Sequence, residues 1–188
     1  MMAMMLDQGE PSDASLARRA AAGERDAFAE LVVRHYDFIY RVAYRWWGRR
    51  EDAEDVAQDV CARLAHSIRS FRGEGALTTW LYALTLNVAR DAGRRRQRDE
   101  RKAQAFGVHA LISGEEPEEP DDRAERMWAA VRTLPDKQRE AMLLVYGEGL
   151  SHASASDVMN CAEATVSWHV HEAKKRLTRL LRAAGDER

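Results

Sequence analysis

Apolar residues recur along this chain at steps of three and four, and no stretch alternates apolar with polar as a half-buried strand would. Phe28, Leu31, Val32, His35, Ile39, Val42 and Trp46 make one such stripe, and Gly48 is placed to end the helix that carries it. Ala53, Val56, Ala57, Val60, Leu64 and Ile68 make a second, on a helix starting near Glu51 whose other side bears Glu54, Asp55, Gln58, Asp59 and Arg63. Two glycines in Phe71-Arg72-Gly73-Glu74-Gly75-Ala76 mark a loop. Thr78 or Thr79 can then cap a helix running through Trp80, Leu81, Leu84 and Val88 to about Arg101. The periodicity predicts an all-α protein.

Composition narrows the class further. At 188 residues and 45% hydrophobic content, the chain can build one large core or two small ones. Cys61 and Cys161 lie a hundred positions apart with no CxxC spacing, which excludes a disulfide scaffold and a zinc finger and suits a reducing compartment. The six histidines are scattered, and His169 and His171 stand about 200° apart on a helix, so no metal site is expected. The apolar start, residues 1–6, runs directly into Asp7, Gln8, Gly9 and Glu10 without a basic leader, and no run reaches membrane-span length. A soluble, cytoplasmic protein without cofactor is expected.

Charge is sorted along the chain. Residues 90–102 hold seven basic and three acidic side chains, whereas residues 115–122 hold six acidic side chains and no basic one. Gly114, Pro117 and Pro120 interrupt the apolar pattern in the same stretch, a composition unable to bury enough surface to offset chain ordering. The expected organisation is therefore a disordered tail over 1–17, a helical unit over 18–106, a flexible acidic linker over 107–123 and a second helical unit over 124–184.

The second unit opens with a helix carrying Trp128, Val131 and Leu134. Pro135 is read as the first helical position of the next, which carries Ala141, Met142, Val145 and Tyr146 and stops at Gly147 or Gly149. Two further helices, about 151–159 and 164–181, flank Asn160, a residue suited to a left-handed helix end. On the last helix Val166, Val170, Ala173 and Leu177 form a seam, and Ser167, Trp168, His171, Lys174 and Lys175 occupy the other side. A helix buried on one face and polar, aromatic and basic on the other fits a recognition helix in a DNA major groove. An ordinary antiparallel helix pair with a solvated face would show the same pattern.

Both halves together resemble an extracytoplasmic-function sigma factor of the sigma-70 family, over about residues 21–181. Asp52-Ala53-Glu54-Asp55-Val56-Ala57-Gln58-Asp59 resembles the acidic helix that docks on the polymerase clamp. Phe71-Arg72-Gly73, Thr79-Trp80-Leu81-Tyr82 and Asn87-Val88-Ala89-Arg90-Asp91 resemble the promoter-melting region. Leu134-Pro135 with Arg139-Glu140, then Gly149-Leu150-Ser151 and Thr165-Val166, resemble the helix-turn-helix of sigma domain 4. The resemblance implies two small helical domains, a domain 2 bundle and a domain 4 helix-turn-helix, with core RNA polymerase, promoter DNA and an anti-sigma factor as partners. It implies no catalysis.

By the same resemblance Asp55, Gln58 and Asp59 meet core polymerase. Arg63, Phe71, Arg72, Gly73, Glu74, Gly75, Ala76, Asn87, Arg90 and Arg94 serve the −10 element, where a base leaves the stack and must be compensated by stacking and edge hydrogen bonds. Hydrophobic core is the alternative reading for Phe71 and Trp80, and the preferred one for Trp80. Thr165, Ser167, Trp168, His169, His171 and Lys175 are the −35 candidates. Here the sequence departs from the family pattern: Trp168 and Glu172 stand where arginines are usual, and Ser154 and Ser156 replace Glu and Ala. An unusual −35 preference is expected, because Arg supplies the commonest bidentate guanine contact. A dimeric helix-turn-helix regulator that never meets polymerase is the competing reading. It leaves the acidic helix and the glycine loop unexplained.

Overall fold

The structure is a computed structural model that describes residues 10–73, 75–105 and 123–185. Among these residues every regular element is helical.

Helix α1, Asp13–Ala21, begins earlier than the expected boundary at 18. Ser12 caps it by accepting from the Ser15 amide at 3.3 Å, Asp13 complements its N-terminal dipole, and Leu16, Ala17 and Ala20 are buried. Residues 10–17 therefore belong to the first unit and not to a disordered tail. Arg34 fastens α1 by donating to the Pro11 carbonyl at 2.8 Å and to Asp13 Oδ1 at 3.0 Å. Helix α2, Arg25–Trp47, buries Leu31, His35, Ile39, Val42 and Trp46 as its stripe requires, and ends where Gly48 takes a φ of 75°. Helix α3, Arg50–Ser67, buries Ala53, Val56, Ala57, Val60 and Leu64. A 3₁₀ turn, Ile68–Ser70, leads into the glycine loop and then into α4, Leu77–Ala105. Helix α2 packs against α1, α3 and α4, making it the central strut of the first unit.

The expected linker falls mostly on residues outside the described ones; α5, Arg123–Arg132, opens the second unit. Pro135 is the cap residue preceding α6, Asp136–Met142, with an extended ψ of 144°, one position before the N1 placement expected for it. The helix then widens into a π turn, Leu143–Gly147, that buries Leu143 and Leu144. Helix α7, His152–Met159, is capped by Ser151 and ends at Asn160, whose φ of 48° and ψ of 55° are left-handed as expected. Helix α8, Glu163–Gly185, buries Val166, Val170, Ala173 and Leu177, the seam read from the sequence.

The two units touch along a seam rich in arginine. Arg45 of α2 donates to the Gly147 carbonyl at 2.8 Å and to Glu148 at 2.5 Å, and lies over the Trp128 ring. Arg139 of α6 lies 4.5 Å from the centroid of Trp46, an indole only 3% exposed. A cation over a shielded ring contributes on the order of 1–2 kcal/mol. Arg90 of α4 donates at 3.0 Å to Glu140, which is 1% exposed and also accepts from Lys137 at 3.0 Å. Burial lowers the Arg139 pKa, and it raises the Glu148 carboxyl in spite of Arg45 and Arg41 beside it. Tyr82 is almost wholly enclosed, and its hydroxyl pKa is pushed well above the ordinary value by that burial.

Candidate polymerase and promoter interfaces

The acidic side of α3 is open where the first unit's core leaves it. Asp55 and Gln58 are exposed, one turn apart and away from the Val56, Val60 and Leu64 seam. Asp59 shares that side, but its carboxylate accepts from Arg95 of α4 at 3.0 Å. Two turns earlier Asp52 lies 3.5 Å from Arg96 and 3.7 Å from Arg49. An open groove of about 430 Å³ runs between α3 and α4 beside these pairs. Trp47 forms part of its wall, with an indole N–H that is buried and has no acceptor. Arg95 and Arg96, members of the basic run over residues 90–102, thus face the acidic helix.

The −10 candidates fall into linked groups. Arg63 donates to Asp91 at 3.2 Å, and Arg94, 79% exposed, approaches the same carboxylate at 4.0 Å. Asn87 offers its side-chain oxygen to Arg90, whose other nitrogen is held by Glu140. Arg72, Gly73, Gly75 and Ala76 are exposed, with φ of 73° at Gly73 and 151° at Gly75, while Glu74 lies outside the described residues. A side chain at Gly73 or Gly75 would meet open space, so what these positions demand is backbone conformation. Phe71 and Trp80 pack together with ring centroids 5.6 Å apart, both half-buried against the core. Packing and base stacking remain compatible for this pair, because each ring keeps exposed area.

On α8 the expected −35 residues separate. Thr165, Trp168, His171 and Lys175 are exposed. Ser167 is tied down: its hydroxyl lies 2.8 Å from His152 Nδ1 at the start of α7, a bridge that fixes the angle between the two helices. His169 does not join the exposed face. Its Nδ1 is buried without a partner, and burial first, then Lys137, lowers its pKa against an opposing effect of Glu140. Those neighbours belong to α6, so His169 is an inward residue. The α8 position explains this, since i and i+2 on a helix point to opposite sides and only His171 shares the side of Trp168.

Sequence reasoning missed Arg45 and Glu148, and met Glu140 only within the Arg139-Glu140 motif, without its partner. Glu140 is a carboxylate beside the buried Ala141, and nothing within its own helix marks the guanidinium, fifty positions away, that satisfies it.

The Sigma-70 region 2 family model matches residues 31–99, from within α2 through most of α4, and the Sigma-70 region 4 model matches residues 124–177, covering α5 into α8. The RNA polymerase sigma-H factor of Pseudomonas aeruginosa is 30% identical over 183 residues, 92% of this chain and 95% of that protein. This chain belongs to the extracytoplasmic-function group of the sigma-70 family. The sigma factor SigM of Mycobacterium tuberculosis is 32% identical over 178 residues, 92% of this chain and 86% of its own length. Among solved structures, CnrH in complex with the cytosolic domain of CnrY matches with a TM-score of 0.65 at 26% identity, over 92% of this chain and 99% of that one. This sigma factor therefore carries both conserved regions in family order, and no helix among its described residues is long and apolar enough to cross a membrane.

Proposed function

We propose that the protein is a promoter-specificity subunit of RNA polymerase: it binds the core enzyme, reads the −10 and −35 elements and promotes strand opening, without catalysing a bond change itself. The observation that carries this reading is the match of both sigma-70 regions, in order, on a chain with an open acidic α3 face and an open α8 face. Asp55, Gln58 and Asp59 present carboxylate and amide groups to the basic residues of a clamp helix. The glycine loop and the α4 residues Asn87, Arg90 and Arg94 receive the melted −10 strand. Their phosphate contacts carry no sequence information and weaken with salt. Arg90 exchanges Glu140 for a phosphate when it does so. Thr165, Trp168, His171 and Lys175 of α8 enter the −35 major groove.

A cytoplasmic location follows from that partner. Restraint by an anti-sigma protein is the expected control, and the solved relative CnrH is described in complex with a second protein, the cytosolic domain of CnrY. The linker, expected over 107–123, would let the units rearrange around either partner. Co-sedimentation with purified core polymerase tests the first step. The wild-type chain is expected to bind, and the double variant Asp55→Lys/Asp59→Lys to lose binding while keeping its helical circular dichroism. Undiminished association of that variant would remove the α3 face from the account.

A further inference from the structure

Trp168 is anomalous on the surface where it sits. Val166, Val170, Ala173 and Leu177 define the buried side of α8, and Trp168 follows Val166 by two positions, about 200° around the helix. Ala164, His171 and Lys175 fall on the same outward side. A 56% exposed indole at the centre of that strip has apolar surface to bury against a partner, as no fold contact needs it there. Among the described residues the Trp168 ring meets the adjacent His169 edge-on, at 4.9 Å between centroids.

The polar groups around it are largely committed elsewhere. The Ser167 hydroxyl is bridged to His152 and Lys174 lies over the Tyr146 ring at 4.9 Å, while Lys175, 60% exposed and no nearer than 4.0 Å to Glu172, stays open to a phosphate. No arginine occurs between Glu163 and Lys175. The commonest guanine contact in a major groove is bidentate to O6 and N7, and the planar fork that suits it best is that of arginine; the strip of Ala164, Trp168, His171 and Lys175 holds none, and Arg176 stands about 80° around the helix from Trp168. What a groove offers to an apolar side chain is the C5-methyl group of thymine.

We propose that Trp168 makes α8 a reader of thymine methyl groups, selecting its −35 element by apolar contact in place of guanine recognition. The inference rests on the reading of α8 as the promoter-facing helix. Thr165 near the helix start and Lys175 near the far end hold phosphates, and the indole between them closes on a methyl that a cytosine or uracil lacks. Removing the methyl costs what removing one buried carbon costs, about a fourfold loss of affinity.

The test uses holoenzyme assembled from core polymerase and the full chain. Duplexes are selected from a randomised promoter-length library, and the enriched −35 sequence is remade with deoxyuridine in place of each thymine. One thymine is expected whose replacement weakens binding about fourfold. Holoenzyme carrying Trp168→Ala should bind more weakly and no longer distinguish the two bases. Trp168→Arg should shift the selected sequence toward guanine. An enriched −35 motif indifferent to deoxyuridine at every position, or unaltered by Trp168→Ala, overturns the methyl reading and leaves α8 as a DNA reader. Loss of core association by Trp168→Ala overturns it too, since the indole would then be a polymerase contact. Enrichment of no −35 motif by wild-type holoenzyme overturns the reading of α8 on which the inference rests.

Discussion

Substitution of alanine at two glycines separates backbone strain from the contact between the units. Gly48, at the end of α2, has φ of 75°, and Gly149, before α7, has φ of 69°. Alanine in this left-handed region costs about 1–2 kcal/mol at either site. The loss of chain freedom in the unfolded state returns a similar few tenths to ~1 kcal/mol to both variants. The two sites differ in what a methyl group would meet. At Gly149 there is nothing within 4 Å, whereas at Gly48 the methyl would overlap the guanidinium of Arg132 from the second unit. Arg132 is a flexible side chain and can move, but its nitrogen donates to Glu125 at 2.7 Å with the side chain only 13% exposed. Displacing that charge-assisted bond adds about 1–2 kcal/mol. At ~2–4 °C per kcal/mol for a chain of this size, Gly48→Ala should melt roughly 2–8 °C below Gly149→Ala. Thermal unfolding followed by circular dichroism reads the difference. In an Arg132→Ala background the penalty of Gly48→Ala should fall to that of Gly149→Ala. Equal melting shifts for the two single variants would refute the seam as described.

The buried pair across the same seam gives a second expectation: a double-mutant cycle of Arg90→Gln and Glu140→Gln in urea unfolding should return a coupling of about 1–3 kcal/mol, and a value near zero would mean the two side chains do not meet in solution. The inward histidine gives a third. Because burial lowers the folded-state pKa of His169, the unfolded chain takes up the proton first as pH falls. The stability this residue contributes is complete above the unfolded value and is lost as pH drops through the folded one. Melting temperatures measured from pH 7.5 to 5 should therefore decline less steeply for His169→Gln than for the wild type; parallel curves would place His169 in solvent.

Local features of this sigma factor were legible because they depend on neighbours in sequence. The stripes of α2 and α3, the stop at Gly48, the left-handed Asn160 and the α8 seam all follow from helical periodicity and cap chemistry. The start of α1 was legible too, in Ser12 followed by Asp13, but the apolar and polar residues ahead of it obscured the cap. Long-range pairing could not be read in the same way. Arg45 meets Glu148 across 103 positions and Asp59 meets Arg95 across 36, and each looks like an ordinary solvated charge in its own helix. Candidate site residues divide on the same principle. Ser167, Trp168 and His171 were placed on the open face by helical phase, yet Ser167 is held by His152 of α7, whereas His169 was counted with them by resemblance and is held by α6 neighbours.

Start-site mapping in a purified system addresses the central claim, that this chain lends promoter choice to core RNA polymerase. Core enzyme is incubated with a library of genomic fragments, with and without the protein, and the 5′ ends of the transcripts are sequenced. Discrete start sites that arise only with the protein, each preceded by shared sequences near −10 and −35, are the expected result. Identical 5′ ends in both reactions would contradict the account.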